Sequence, residues 1–169
     1  SEELVGVQRI YQKGQGFQKA FTQFTQSKGA FNIIGEVSEE DPIYIAEGVA
    51  TAATIHFTTG SPCYVAFSAY NIPSVAQIIR NRYDNQIIIC SDNDDIGKQQ
   101  SSMATISIDN VKFIYPESET KGYDYNDFMI EHGKEKTKEA IKGVKKSIPL
   151  WDLLPDIASN EAKSKHPQV

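Results

Sequence analysis

The stretch Ile87-Ile88-Ile89-Cys90-Ser91-Asp92-Asn93-Asp94-Asp95-Ile96-Gly97-Lys98 limits the possible folds of this chain more than any other. Three successive β-branched residues with no polar alternation read as a strand buried on both faces, which is the habit of strands in parallel sheets. The run stops at an acidic cluster, and Gly97 is placed to let the chain turn sharply into the next element. Asp92, Asp94 and Asp95 repel one another at this spacing, and a cation among them removes the repulsion. The carboxyl end of a strand is also where open α/β sheets bind ligands. The stretch therefore predicts a Mg²⁺ site, although the same acids also suit ordinary polar loops at strand ends.

The rest of the chain is consistent with such a sheet. Its 169 residues are enough for one ordinary domain with a small appendage. Hydrophobic residues make up 40%, with eight Phe and eight Tyr, so a real core is available and disorder is excluded. No apolar run approaches the roughly 18 residues of a membrane span, and no basic-then-apolar leader precedes Leu4. A cytoplasmic protein with no membrane partner is expected. The chain begins at Ser1 rather than Met, as a domain cut from a longer protein would. Cys63 and Cys90 are too few and too far apart for a zinc motif, and both lie in apolar strand-like runs as packing residues. The net charge of −5 argues against a nonspecific nucleic-acid coat. Yet residues 9–35 hold four cations (Arg9, Lys13, Lys19, Lys28) and no acid, a candidate phosphate-facing surface or simply a solvated polar hairpin.

In chain order, residues 1–37 form a small β-rich lobe. Leu4 to Tyr11 alternates, Lys13-Gly14-Gln15-Gly16 is a turn, and Phe31 to Ile34 is a short strand. The acidic, Pro-terminated segment Ser38–Pro42 marks a boundary. From 38 to 132 strands alternate with helices: strands at Ile43–Ala46, Cys63–Phe67, Gln86–Cys90 and Val111–Tyr115, with helices at Val49–Phe57, after Asn71, at Gly97–Ile106 and up to His132. Asn71 is placed to cap the second helix, with Pro73 in its first turn and Val75, Ile78 and Ile79 as its apolar stripe. The fold class is α/β, with a four-stranded parallel sheet in the order 2-1-3-4 flanked by helices. Residues 133–169 form a helical extension and a tail. Gly133 to Lys146, with six Lys and two Glu, suits a solvated helix, and Leu150, Trp151, Leu153 and Leu154 suit a short docking turn.

That strand order brings three acidic sites to one edge: Glu47 after the first strand, Asp92 and Asp94 after the third, and Asp124 with Asp127 after the fourth. Mg²⁺ takes a few carboxylates plus waters and substrate phosphates, so phosphodiester chemistry is the reaction class indicated. An EF-hand loop opening at Asp92 fails at Ile96 and Met103, and Gly97-Lys98-Gln99 is not a P-loop. A receiver-like phosphoacceptor site leaves the carboxylates after the fourth strand unexplained. His56, His132 and His166 show no metal spacing and no nucleophile partner.

At these residues the chain resembles a Toprim domain, the catalytic fold of bacterial-type primases, topoisomerases and some nucleases. A strand followed by Glu-Gly stands at Ile43-Tyr44-Ile45-Ala46-Glu47-Gly48, and Asp-x-Asp followed by Gly stands at Asp92-Asn93-Asp94 with Gly97. Glu47-Gly48-Val49-Ala50-Thr51-Ala52, Asn71-Ile72-Pro73-Ser74-Val75-Ala76 and Asp124-Tyr125-Asn126-Asp127 resemble the plasmid and phage primase branch. So do Val7-Gln8-Arg9-Ile10 and Lys28-Gly29-Ala30-Phe31 ahead of them, and the likeness covers residues 4–132. The resemblance implies a primase that makes RNA primers on single-stranded DNA during plasmid, phage or mobile-element replication. Its partners would be the template strand and nucleoside triphosphates, and its setting a bacterial or phage-infected cell. It implies Mg²⁺, with Mn²⁺ as a substitute, held by Asp92 and Asp94, with Asp124 as a further ligand or a water-mediated contact. Glu47 would be a ligand or the general acid/base, while Arg9 and Lys28 would bind nucleotide or template; Asp127 is an N-cap or a ligand. A zinc-binding module and a replicative helicase, usual beside such primases, would belong to a longer parent chain. The neighbouring readings are a metal-dependent nuclease and a Toprim module that binds nucleic acid without catalysis; a topoisomerase lacks its large strand-passage domains here.

Overall fold

The isoleucine run becomes strand β6 (Ile87–Cys90) of a five-stranded sheet, with Ile87, Ile89 and Cys90 fully buried. In the computed structural model, which describes residues 3–143, a hairpin of β1 (Gln8–Lys13) and β2 (Gly16–Phe21) comes first. Then follow β3 (Asn32–Ile34), β4 (Ile43–Ala46), α1 (Val49–Thr59), β5 (Cys63–Val65) and α2 (Ile72–Arg80). After β6 come α3 (Asp95–Ser107), β7 (Val111–Ile114), α4 (Tyr125–His132) and α5 (Lys134–Lys142). The docking turn expected near Trp151 and the tail lie outside the described residues. No helix among the described residues is long and apolar enough to cross a membrane.

The sheet order is β3-β5-β4-β6-β7. Its four parallel strands stand in the order expected, β4 at the centre between β5 and β6. A fifth strand extends the β5 edge: β3, from the segment read as part of the N-terminal lobe, pairs antiparallel with β5 through Asn32 opposite Val65. Alternation along each strand sends side chains to two faces. Ile43, Ile45, Ile87, Ile89 and Phe113 pack with α2 and α3, while Tyr44, Ala46, Cys63, Cys90 and Ile114 pack with α1, α4 and α5. Each fully buried isoleucine contributes about 1.5–3 kcal/mol to this core. Both cysteines are buried and free.

Two local expectations are corrected. Asn71 sits at the N-cap position of α2, but its own backbone is helical and its side chain makes no cap bond. It is instead a tie to the N-terminal segment. Its Oδ1 accepts from Gly29 N–H at 2.7 Å, and its Nδ2 donates to the carbonyls of Ala30 (2.8 Å) and Ala66 (2.9 Å). A cap serves donors of its own helix, whereas this buried amide satisfies two backbone groups far upstream and one in the preceding loop. Gly97 is not at a turn either; it lies inside the first turn of α3. A Cβ there would meet Ser91 Oγ at 2.7 Å and both Asp92 O and Asp94 Oδ1 at 3.2 Å, so the glycine is required by close approach rather than by backbone angle.

Asn71→Ala strands one buried and two half-buried backbone groups, and we expect a loss of about 2 kcal/mol in urea unfolding. Trypsin should then cut at Lys28 in the variant faster than in the parent chain. A variant as stable and as resistant as the parent would show that the tie is not what holds the N-terminal segment down.

Candidate active site

The register of the sheet sets the site. Ala46 stands opposite Cys90, so Glu47, one residue beyond β4, emerges beside Ser91 and next to Asp92. This is the point where the chain, having run from β4 to β5 on one side, crosses to β6 on the other, the place where open sheets leave a crevice.

Each acid is held by a different local device. Asp94 is the N-cap of α3, its Oδ1 accepting from Gly97 N–H at 2.7 Å. Asp124 is the N-cap of α4, and Asp127 is not a cap but the third helical residue of a reciprocal capping box. Asp124 Oδ1 accepts from the N–H groups of Asn126 (2.8 Å) and Asp127 (2.9 Å), and Oδ2 accepts from the Thr51 hydroxyl at 2.6 Å. Thr54 donates in parallel to Asn126 at 3.0 Å, which docks the start of α4 on α1. Asn93, between the two aspartates, is a clamp. Its Nδ2 donates to Ser118 O at 2.6 Å, its N–H to Tyr123 O at 2.9 Å, and its carbonyl accepts from Gly122 N–H at 3.0 Å. That clamp is what brings Asp124 up to Asp92. Asp95 is exposed in the first turn of α3.

The consequence is electrostatic. Asp92 Oδ1 is buried and has no hydrogen-bond partner among the described residues. Burial, then Glu47, Asp124 and Asp94, push the Asp92 carboxyl up to about 7, against a pull downward from Lys19. Glu47 is raised by burial and by Asp94, and held back by Lys19 and by the Ala69 N–H. Glu47, Asp92, Asp94 and Asp124 therefore form one coupled set. No three His, Cys, Asp or Glu side chains among the described residues close around a single ion point. The set is an open array of hard oxygen donors, which suits a cation completing its shell with water and phosphate rather than a closed cage. The orphaned Asp92 oxygen is the observation that fits a cation there. Asp124, with three donors already on its carboxylate, fits a contact through water better than a direct one.

Lys19 is the residue that the sequence did not single out from its neighbours. It lies on β2, opposite Ile10, on the hairpin face shared by Gln8 and Phe21, and it lines a cavity of about 250 Å³ with Glu47 and Gly48. Arg9, opposite Ala20, is on the other face of the hairpin, and Lys28 is exposed beside a different cavity. The structure thus joins Lys19, not Arg9 or Lys28, to the carboxylates. A signal was available: alternation puts Lys19 two residues from Phe21 on one face, but nothing local tells which face meets the sheet.

The model of the Toprim domain matches residues 42–135, from just before β4 into α5. Among curated proteins, DNA primase TraC of Escherichia coli is 26% identical over 80 residues, which is 46% of this chain and 8% of that protein. The aligned part is thus a small fraction of the relative's length.

Stability should report the crowding. Between about pH 4 and 7 the unfolded chain has released the Asp92 proton and the folded chain keeps it. This group's contribution is therefore full below pH 4, falls as pH rises to 7 and is level above. Asp92→Asn should raise the stability of the metal-free chain at pH 8 by on the order of 2 kcal/mol, allowing for screening, and change little near pH 4. Mg²⁺ should stabilise the unsubstituted chain more at pH 8 than at pH 5, because protons compete for the same oxygens. A melting temperature of Asp92→Asn at or below that of the parent at pH 8 would rule out a repulsive site.

Proposed function

The chain belongs to the Toprim domain family, and from that premise we propose that it is the catalytic region of a DNA primase of the plasmid and phage type. It would perform nucleotidyl transfer, joining ribonucleotides on a single-stranded DNA template, and its parent would work with a replicative helicase. The observation that carries this is the coupling of Glu47, Asp92 and Asp94, from two adjacent parallel strands, with Lys19 from the hairpin. The distant primase relative supports the same choice.

Toprim domains generally bind divalent metal ions such as Mg²⁺. Asp92 and Asp94 would hold the ion, with Glu47 beside them and Asp124 acting through water. When bound, the ion neutralises phosphate charge and favours loss of pyrophosphate. The chain's own groups supply the rest. Glu47, held above the ordinary carboxylate range, is suited to take the proton of a primer 3′-hydroxyl as its oxygen bonds to the α-phosphorus. The bond from that phosphorus to the β-phosphate oxygen breaks, and the charge left on pyrophosphate faces the Lys19 ammonium. Arg9, on the outer face of the hairpin, is assigned to the template backbone, and Lys28 to the nucleotide.

The test uses Asp94→Asn, since asparagine keeps the α3 cap while removing the charge. Dinucleotide synthesis on single-stranded DNA with Mg²⁺ or Mn²⁺ should fall at least roughly a hundredfold, with the melting temperature nearly unchanged. Unchanged synthesis would sink the assignment. Cleavage of the DNA without added nucleotides, lost in the same variant, would assign the site to a nuclease instead. Arg9→Ala should weaken template binding without moving the Mg²⁺ midpoint.

A further inference from the structure

A second cavity, of about 360 Å³, borders the one that holds Lys19 and Glu47. It is lined by the N-terminal segment at Glu3–Gly6, the loop from Ser27 to Asn32 and the chain after β5 from Ala66 to Ser74. Gln8, Phe21 and Phe67 line both this cavity and the smaller one that holds Lys19, Glu47 and Gly48. The two are therefore neighbours. Their divide is an edge-to-face pair, Phe21 and Phe67, with ring centroids 5.6 Å apart and planes at 82°.

Phe67 has an unusual backbone. Its φ is +64°, a left-handed conformation that a bulky residue adopts at a cost of about 1–3 kcal/mol. Glycine would adopt it without strain, yet the chain places an aromatic ring there, just beyond the carboxyl end of β5 and between two cavities. Tyr70, which lines the same cavity, is 69% exposed. The hydroxyls of Ser27, Ser68 and Ser74 make no hydrogen bond among the described residues, and each can donate or accept. Such groups meet any base edge without preferring one. That is what a template-directed polymerising site needs, because pairing with the template makes the choice.

We infer that this cavity is the nucleoside subsite for a free ribonucleoside triphosphate. Its base lies against Phe67 and Tyr70, and its phosphates pass the Phe21–Phe67 divide towards Lys19. The volume suits one nucleoside, at the lower end of ligand cavities. Lys28 is the one cation among the described residues lining it, too few for the row of phosphodiesters that a bound strand presents. The inference rests on the nucleotidyl-transfer reading and adds where the base is held.

Calorimetric titration of the chain with ATP, UTP, tripolyphosphate and a seven-residue oligothymidylate, all with Mg²⁺, tests it. In the parent chain both nucleotides should bind about tenfold tighter than tripolyphosphate, the contribution of base stacking. Phe67→Gly, whose backbone the fold accepts, and Tyr70→Ala, at an exposed position, should each remove most of that advantage and leave tripolyphosphate unchanged. Phe67→Tyr should restore it. ATP and tripolyphosphate binding equally to the parent would overturn the subsite and leave the proposed reaction standing. Binding of neither would overturn both. Nucleotide affinity unmoved in Phe67→Gly and Tyr70→Ala, with oligothymidylate weakened, would give the cavity to a strand and refute a free nucleotide.

Discussion

The fold places several negative charges where they repel, at the ends of two parallel strands. A strand end carries no choice about direction: β4 and β6 run together, so whatever follows them emerges on one edge. Glu47 and Asp92 are forced to be neighbours by Ala46 pairing with Cys90, and burial denies them the water that would screen them. Much of the surrounding hydrogen bonding resists the resulting tendency to spread. Asn93 clamps the loop from Ser118 to Tyr123, Thr51 pins Asp124, and the α3 cap fixes Asp94. These contacts act on backbone and helix ends, which are stiff, rather than on long side chains, which would yield.

The parallel core was legible from the sequence because its signal is local and strong. Ile43–Ala46 and Ile87–Cys90 are apolar runs, Val111–Ile114 is broken only by Lys112, helices lie between them, and right-handed crossovers leave few orders to choose from. The order around the centre followed from asking which arrangement brings the acids together. What was not legible depends on tertiary partners. Asn71 has the sequence of a cap, and only the approach of Gly29 and Ala30 from far upstream turns it into a tie. Gly97 has the sequence of a turn, but capping by Asp94 begins the helix before it. Strands as short as Asn32–Ile34 carry too little periodicity to announce which sheet they join.

The hairpin shows the same limit at the site itself. Two strands alone are marginally stable, and β1 and β2 are exposed along nearly their whole length. Their cations were visible as a group, but a group of four does not name the one that matters. Register does: Lys19 shares a face with Gln8 and Phe21, and Phe21 packs on Phe67 beyond β5. The aromatic contact selects which face of the hairpin meets the sheet, and so selects Lys19 over Arg9 for the carboxylates.

Two features of this edge hold free energy that the fold alone does not require. One is the raised Asp92 carboxyl with its unpaired oxygen, the other the left-handed backbone of Phe67. Asp92 belongs to the acidic array, and Phe67 lines both the cavity that holds Lys19 and Glu47 and the aromatic one. A protein under selection for stability alone would replace them with an asparagine and a glycine. Strain of this kind persists where surrounding structure fixes it and a ligand relieves or uses it. In the proposed reading, a cation would neutralise the first, a nucleobase would stack on the ring that the second holds in place, and a nucleoside triphosphate with its metal would bring both. On that reading, the two unfavourable features would be neighbours because the two ends of one substrate are met by two adjoining sites.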